Sequence, residues 1–435
     1  MRNFYDVIVV GGGPAGSYIA YTLSKDGFQV CLVDSNPRDL FGYKPCGGIS
    51  SPLILDYFKK MNLEKEDIIQ ETFDEVILLD NQLNSLAQIK IPLVHIDRKK
   101  LGNNIVQELR EKNVHIINNT RAIKLDIKDD FVIGIFLSNG MHLKSSLIID
   151  ASGFSGLLRS QLISRIPEWS IDKEDLIIAI LEKIRGLRVF NTFTLIVDKG
   201  LFPGGYGWIT PSKEIHTVGL GLQPIVSNIA LRYRLSVLKK NFQIRGEKLE
   251  TGIGLIYARR PFPSLVYNGY ALIGESGSQG NPLFGGGVFG ALIAAEIAHR
   301  QIKKALETSE SQLSVSMEEL WRYNIEFMRN RGKLLATLDV LRLFAQGLTE
   351  EELKEFISYL PEKISFKLKD IVKIGIKALK TITRSRIFWR IFDVYRAVVE
   401  VQNIYDKYPK RVNEFKAWAK KDAEIFTILK KKLSK

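Results

Sequence analysis

Tyr5-Asp6-Val7-Ile8-Val9-Val10 followed by Gly11-Gly12-Gly13-Pro14-Ala15-Gly16 decides how this chain begins to fold. The first half is a short, β-branched apolar run, the composition of a buried parallel strand. Pro14 falls where a first helical turn accepts proline, and Ala15, Ile19 and Leu23 recur four apart on one helix face. Asp26-Gly27 ends that helix, and Gln29 to Val33 reads as a second strand closing on Asp34. Strand, glycine turn, helix, strand and acid make the βαβ dinucleotide fingerprint in its required context. Gly11 allows the tight turn, Gly13 lets backbone approach a pyrophosphate, and Gly16 lets helix pack close to strand. The helix N-terminus offers free N–H groups and a positive dipole end to the phosphates. Asp34 is placed to accept hydrogen bonds from a ribose 2′-OH. The fingerprint alone does not separate NAD from FAD.

At 435 residues the chain is too long for one simple core. Its 45% hydrophobic and 25% charged residues are those of a soluble globular protein. No stretch approaches eighteen uninterrupted apolar residues, so no membrane span is expected. Asp6 interrupts the N-terminal run, which argues against a signal peptide. The expected location is cytoplasmic, with a peripheral position on the inner membrane face as an extension. Two cysteines, Cys31 and Cys46, argue against a disulfide scaffold and against an iron–sulfur centre. Five scattered histidines show no metal-ligand spacing, so no metal is expected. A net charge of +14 fits attraction to nucleic acid, anionic lipid or a phosphorylated substrate, or a solvated basic face.

Further along, Lys44-Pro45-Cys46-Gly47-Gly48 fits neither a regular helix nor a central strand. It reads as a tight loop whose backbone closely approaches something such as a flavin ring. A helix is expected over 51–60, a strand pair at Asp74–Asp80 and Ala87–Ile91, and a helix from Arg98, which could reach the cofactor or pair with a local acid. Ala122 stands where a small residue lets backbone touch adenine. Phe131–Leu137 and Met141–Leu143 read as a hairpin, and Leu147–Ile149 as a separate buried strand.

From 165 to 257 the pattern alternates, as in an antiparallel sheet. It carries Tyr206-Gly-Trp208-Ile-Thr210-Pro211, then Gly219-Leu-Gly221 after seven residues. The glycines around Tyr206 and Trp208 read as room for a planar or extended ligand. A second strand–loop–helix follows, with Glu275, Asn281-Pro282 and Gly285-Gly286-Gly287-Val288. Its acid can hold ribityl hydroxyls, and its helix can aim a positive end at a flavin ring. Residues 310–435 read as helical throughout. Within them Lys363 to Arg396 interleaves basic and apolar residues, as a membrane-surface face or a helix packed on the body would.

The combination GGGPAG, KPCGG, DASGFSGLLR, YGWITP with GLG, and GES with NPLFGGGV resembles the geranylgeranyl reductase family of flavoproteins, over roughly residues 1–330. Within that family it looks like the archaeal enzymes that saturate isoprenoid chains of membrane lipids. The resemblance implies an α/β fold of the p-hydroxybenzoate hydroxylase type: an FAD-binding Rossmann-like domain with an inserted antiparallel β-sheet and a C-terminal helical region. The expected division assigns 1–75, 97–164 and 258–305 to FAD binding, 76–96 and 165–257 to the substrate domain, and 306–435 to the helices.

By that resemblance, Ala15, Asp34, Cys46, Gly47, Arg98, Ala122, Glu275, Gly287 and Val288 line FAD, joined by Gly11, Gly13, Gly16, Gly48 and Gly286. Tyr206 and Trp208 line a prenyl channel. Thr210 stands where the family strand usually has an aromatic residue, which bears on substrate shape. Glu275 replaces a usual Asp, one methylene shorter. Ser152 replaces the Asp of the hydroxylases.

The implied reaction is reduction of isolated C=C bonds of a prenyl lipid or prenyl diphosphate by reduced FAD plus a proton. Cys46 is the candidate proton donor or flavin-side gate, since an ordinary thiol is protonated at neutral pH; equally, it is small enough simply to fit its loop. Tyr206 and Trp208 would offer π-faces to developing positive charge. Ferredoxin or NAD(P)H would supply electrons. An FAD monooxygenase or halogenase of the same fold is the alternative, since halogenases carry an aromatic-x-Trp-x-x-Pro strand. An RNA-acting flavoprotein, suggested by the charge alone, is a weaker one, and no nucleic-acid partner is expected.

Overall fold

The computed structural model describes residues 4–186, 190–223, 225–309, 314–360 and 386–433. The described strands and helices fall into two sheets and a helical layer. In chain order the strands begin β1 (Phe4–Val10), β2 (Val30–Val33), β3 (Ile49–Ser50), β4 (Ile69–Asp80), β5 (Ser85–Ile96), β6 (His115–Ile117), β7 (Ala122–Lys128) and β8 (Phe131–Leu137). They continue as β9 (His142–Asp150), β10 (Leu176–Arg185), β11 (Phe193–Val197), β12 (Tyr206–Thr210), β13 (Ile215–Leu222), β14 (Glu247–Tyr257), β15 (Val266–Tyr267) and β16 (Tyr270–Leu272).

The first sheet runs β15-β16-β9-β1-β2-β6, and its β16–β9, β9–β1, β1–β2 and β2–β6 pairs are all parallel. Strands β7 and β8 extend it antiparallel from the start of β9. All of β2 is buried, as are Val7–Val10 of β1. The helices Pro14–Lys25 and Val288–Thr308 pack against each other, each following a glycine-rich turn.

Met141–Leu143 and Leu147–Ile149 do not belong to two separate strands, against expectation: β9 is continuous from His142 to Asp150. Its first residues pair with β8 and its last with β16, while β1 pairs along its length. The polar Lys144-Ser145-Ser146 stretch hides this continuity in the sequence. Ser145 is nonetheless fully buried, because its hydroxyl donates to the Leu147 carbonyl at 3.0 Å.

The second sheet runs β14-β10-β13-β12-β11-β4-β5-β3. Every pair is antiparallel except β11 with β4, so the expected antiparallel sheet has one parallel seam. Strand β14 has no clear sequence signal, because Gly252 and Gly254 interrupt its apolar pattern.

The C-terminal helices Lys333–Gly347, Arg386–Asp406 and Phe415–Leu433 share one continuous core with the first sheet. Polar contacts also tie them to the body. Arg260 pairs with Asp422 at 2.7 Å, Asp339 accepts the Arg260 N–H at 3.0 Å, and Lys430 pairs with Asp175 at 2.9 Å. Among the described residues no helix is long and apolar enough to cross a membrane. Residues 363–385 of the basic, apolar stretch noted in the sequence lie outside the described residues.

Candidate active site

The glycine turn after β1 leaves no room for side chains. Gly11 has φ +105°, and a Cβ there would fall 2.4 Å from the Ala151 carbonyl oxygen. A Cβ at Gly16 would meet the Gly11 carbonyl oxygen at 1.9 Å, so Gly16 serves helix-to-strand packing. A Cβ at Gly13 would meet nothing within 4 Å, and Gly13 lines an open cavity of about 720 Å³. Of the residues expected from the sequence to serve cofactor and catalysis, all except Gly16 line this cavity.

Asp34 closes the turn as well as lining the cavity. Its carboxylate accepts the Gly12 N–H at 2.6 Å and the Asn36 N–H at 2.7 Å. Burial raises its pKa above the ordinary carboxylate range, against the lowering effect of the Asn36, Gly12 and Gly42 amides. Arg98 opens the helix Arg98–Glu111, with Asp97 as N-cap accepting from the N–H groups of Lys99 and Lys100. Among the described residues Arg98 pairs with no acid. One Nη donates to the Gly42 carbonyl at 3.2 Å, and its buried Nε has no partner.

Glu275, also on the cavity wall, accepts the Tyr257 N–H at 2.8 Å. Burial raises its carboxyl pKa, against the opposing pull of the Lys44 ammonium and the Tyr257 amide. Gly287 precedes the Val288 helix, whose N-terminus has no side-chain cap. Cβ atoms at Gly286 and Gly287 would meet nothing within 4 Å, so helix end and bare glycines form an open cradle.

The Lys44–Gly48 loop is pressed onto the second sheet. Pro45 packs on Gly252 of β14, Gly47 lies against the Trp208 indole, and Gly48 lies against the His95 ring. The Cys46 sulfur accepts the Gly48 N–H at 3.4 Å and is half-buried on the cavity wall. Tyr206 donates its hydroxyl to the Phe284 carbonyl and meets Trp208 edge-on, with ring centroids 6.1 Å apart. Among the described residues the buried Trp208 N–H has no hydrogen-bond partner.

Not every glycine at this wall makes room for a ligand, as the sequence suggested. Gly219 makes room for Trp208 itself, since a Cβ there would fall 2.2 Å from the indole Cζ2, and Gly207 makes room for the Phe202 ring. Thr210 is fully buried, donates its hydroxyl to the Gly47 carbonyl at 3.3 Å and lines neither this cavity nor the apolar one beside it. Its departure from the family pattern therefore falls on the loop rather than on substrate shape.

Residues 6–161 match the family model of FAD-dependent oxidoreductases. The chain is an FAD-dependent oxidoreductase. The digeranylgeranylglycerophospholipid reductase of Sulfolobus acidocaldarius is 27% identical to it, over 99% of both chains. A geranylgeranyl bacteriochlorophyll reductase-like protein of Thermoplasma acidophilum superposes with a TM-score of 0.78 at 17% identity, covering 90% of this chain and 99% of that one. The flavin-dependent brominase Bmp2 superposes at 0.65 with 16% identity, covering 92% and 99%. At those identities the two superpositions speak for the fold.

The oxidoreductase's residues fit FAD. The orphaned Arg98 Nε and the open cradles at Gly13 and Gly287 lie on one continuous cavity, as a phosphate-linked dinucleotide requires.

Sequence reading misses several residues of the oxidoreductase site. Tyr43 donates to Glu250, and Lys183 donates to the Tyr43 oxygen at 3.1 Å while pairing with Glu250 at 3.2 Å, which braces the loop to β10 and β14. A second cavity of about 520 Å³ adjoins the first across Tyr206, Phe284 and Gly286–Val288. Its walls are the apolar face of β4, β5 and β11, including Leu78, Ile89 and Phe193, and the C-terminal helices, including Phe344, Phe356 and Val394. Tyr206 lines both cavities, whereas Trp208 lines only the first. The helical tail gives no sign of this role in the sequence, because apolar wall residues at helical spacing read simply as core.

Proposed function

We propose that this oxidoreductase saturates isolated C=C bonds of prenyl chains, carried on a lipid or lipid precursor. What carries this reading is that the apolar second cavity shares its wall with the cofactor cavity at Tyr206 and Gly286–Val288. An extended hydrocarbon lodged there would lie next to the cofactor cavity that Cys46 lines. The similarity to a digeranylgeranylglycerophospholipid reductase along nearly the whole chain supports the same reading.

An isolated alkene has no carbonyl to polarise it, so one carbon must take a proton as the other takes hydride. FAD, when bound and reduced, supplies the hydride. Cys46 holds the proton, on a sulfur steadied by the Gly48 amide. Tyr206 and Trp208, on the wall of the cofactor cavity, would offer their rings to developing positive charge. The apolar walls keep water from that charge. Gly13, Asp34, Arg98 and Ala122 would hold the nucleotide part of FAD, and Glu275 with the Val288 helix end its flavin part. Exposed Ile229 and Tyr233 on the helix Asn228–Asn241, and Trp389 and Phe392 on the helix Arg386–Asp406, support peripheral contact with a lipid surface. Ferredoxin or NAD(P)H is the proposed source of electrons.

The test is anaerobic. The holoenzyme is reduced with dithionite and given a geranylgeranyl phosphate or lipid. Flavin reoxidation, with product mass rising in steps of two hydrogens, establishes the reductase. Reduced flavin that stays reduced until air is admitted moves the assignment to a monooxygenase or halogenase.

A further inference from the structure

Most polar side chains on the wall of the apolar second cavity are already satisfied by the protein. Lys199 donates to the Gln346 and Leu348 carbonyls, Arg342 pairs with Asp339 at 2.8 Å, and Gln346 donates to the Gly204 carbonyl at 2.8 Å. Thr337 donates to the Lys333 carbonyl, Asp198 accepts the Leu201 N–H, and Asn281 accepts the Leu283 N–H.

Two are not. The Ser50 hydroxyl is buried, with the residue 7% exposed, and has no hydrogen-bond partner among the described residues. Among the described residues the Arg331 guanidinium has neither a hydrogen bond nor an ion pair, and the residue is half-buried on the cavity wall; that burial lowers its pKa, against the raising effect of Tyr57. A half-buried cation on a largely apolar wall, with no acid among the described residues paired to it, is left available to an anionic ligand. Arg331 also sits in a π-helical turn, Met328–Gly332, a deviation that recurs at functional sites and re-aims the side chains it carries. It does not line the cofactor cavity, which has its own incompletely satisfied cation in Arg98.

We propose that Arg331 anchors the phosphate head group of an anionic prenyl amphiphile whose chain fills the apolar cavity. The inference rests on the function proposed above and adds the residue that selects the head group. The guanidinium fork matches a phosphate in two parallel hydrogen bonds, and the unpartnered Ser50 hydroxyl on the same cavity is a further donor.

The test uses ligands that cannot be reduced. Binding of dodecyl phosphate, dodecanol and inorganic phosphate to the FAD-loaded protein is measured by calorimetry for the parent, Arg331→Gln and Arg331→Lys. FAD absorption confirms that each variant is folded. The expected result is that the parent prefers dodecyl phosphate to dodecanol by at least about tenfold, the scale of one charge-assisted contact. Arg331→Gln loses that preference and Arg331→Lys recovers part of it. Equal binding of the two amphiphiles by the parent, or a preference kept in Arg331→Gln, overturns the anchor. Inorganic phosphate binding as tightly as dodecyl phosphate also overturns it, since the ligand is then a free anion. A preference that depends on Arg331 in a protein whose reduced flavin ignores prenyl compounds leaves the anchor standing and removes the reductase.

Discussion

Pro45 rests directly on Gly252: a Cβ at residue 252 would fall 2.2 Å from the Pro45 Cβ and 2.7 Å from its Cγ. Backbone and ring are stiff on both sides, so the clash cannot be relieved by a rotamer change. Gly252→Ala is therefore expected to push the Cys46 loop off β14. Overpacking of this kind costs about 1–3 kcal/mol. FAD should remain bound, because its proposed nucleotide contacts lie on the first sheet, while prenyl reduction falls. Unchanged stability together with unchanged turnover would show that the loop is not seated on this strand.

Cys46→Ala and Cys46→Ser separate proton donation from loop packing. If the thiol supplies the proton, both variants should bind FAD and lose about 10²–10⁴-fold in reduction rate, the usual worth of a positioned acid. Single-turnover reoxidation of the reduced enzyme measures this without involving the electron donor. A rate within about threefold of the parent, a gap of less than about 1 kcal/mol, leaves Cys46 as a small residue that fits its loop.

The cofactor end of the site was legible because glycine turns are dictated locally. Gly13 and Gly16 answer to an open cradle and a backbone clash within one βαβ unit, and Gly11 adds a positive φ to a clash with Ala151 after β9. Tyr206 and Trp208 were legible as a wall. Gly219 was not, since only the folded sheet shows that the indole itself fills the space above it. The apolar cavity was illegible because it is made by residues far apart in sequence, from Ile49 to Val394. Arg331 carries no local signal at all: in sequence it is one basic residue among the 62 lysines and arginines, and only its surroundings in the fold set it apart.

His95 predicts how stability responds to acid. Burial, reinforced by the Lys183 ammonium and partly offset by Asp97, lowers its pKa from 6.5 to about 4. Well above pH 6.5 the ring is neutral in both folded and unfolded chains and contributes no pH dependence. As pH falls from about 6.5 to 4, the unfolded chain takes up a proton that the folded one refuses, so stability is lost across that window. The full loss is on the order of 3 kcal/mol. Denaturant titrations at about pH 7, 5.5 and 4.5, spanning the window, should show this slope in the parent and a shallower one in His95→Gln. Equal slopes would mean that His95 takes up its proton as readily in the folded protein as in the unfolded chain.

The tail should depend strongly on the buried Arg260–Asp422 ion pair. Arg260 gives Nε and Nη2 to the same Asp422 oxygen, at 2.9 and 2.7 Å, and its guanidinium lies over the Phe426 ring at 3.7 Å. Both side chains are almost wholly buried, and Asp422→Ala leaves the guanidinium only the more distant Asp339, at 3.9 Å, as counter-charge; breaking such a pair costs up to about 3–5 kcal/mol. The control is Lys60→Gln, which breaks the more exposed Lys60–Glu296 pair and should cost at most about 1 kcal/mol. Replacing Arg260 and Asp422 together by Met removes the stranded charge and should restore much of the loss. Because Phe344 and Val394 wall the apolar cavity from the same helical layer, Asp422→Ala should also weaken dodecyl phosphate binding. Thermal midpoints and calorimetry on the same samples check both effects. An Asp422→Ala protein no less stable than Lys60→Gln would show that the tail is held by apolar packing alone.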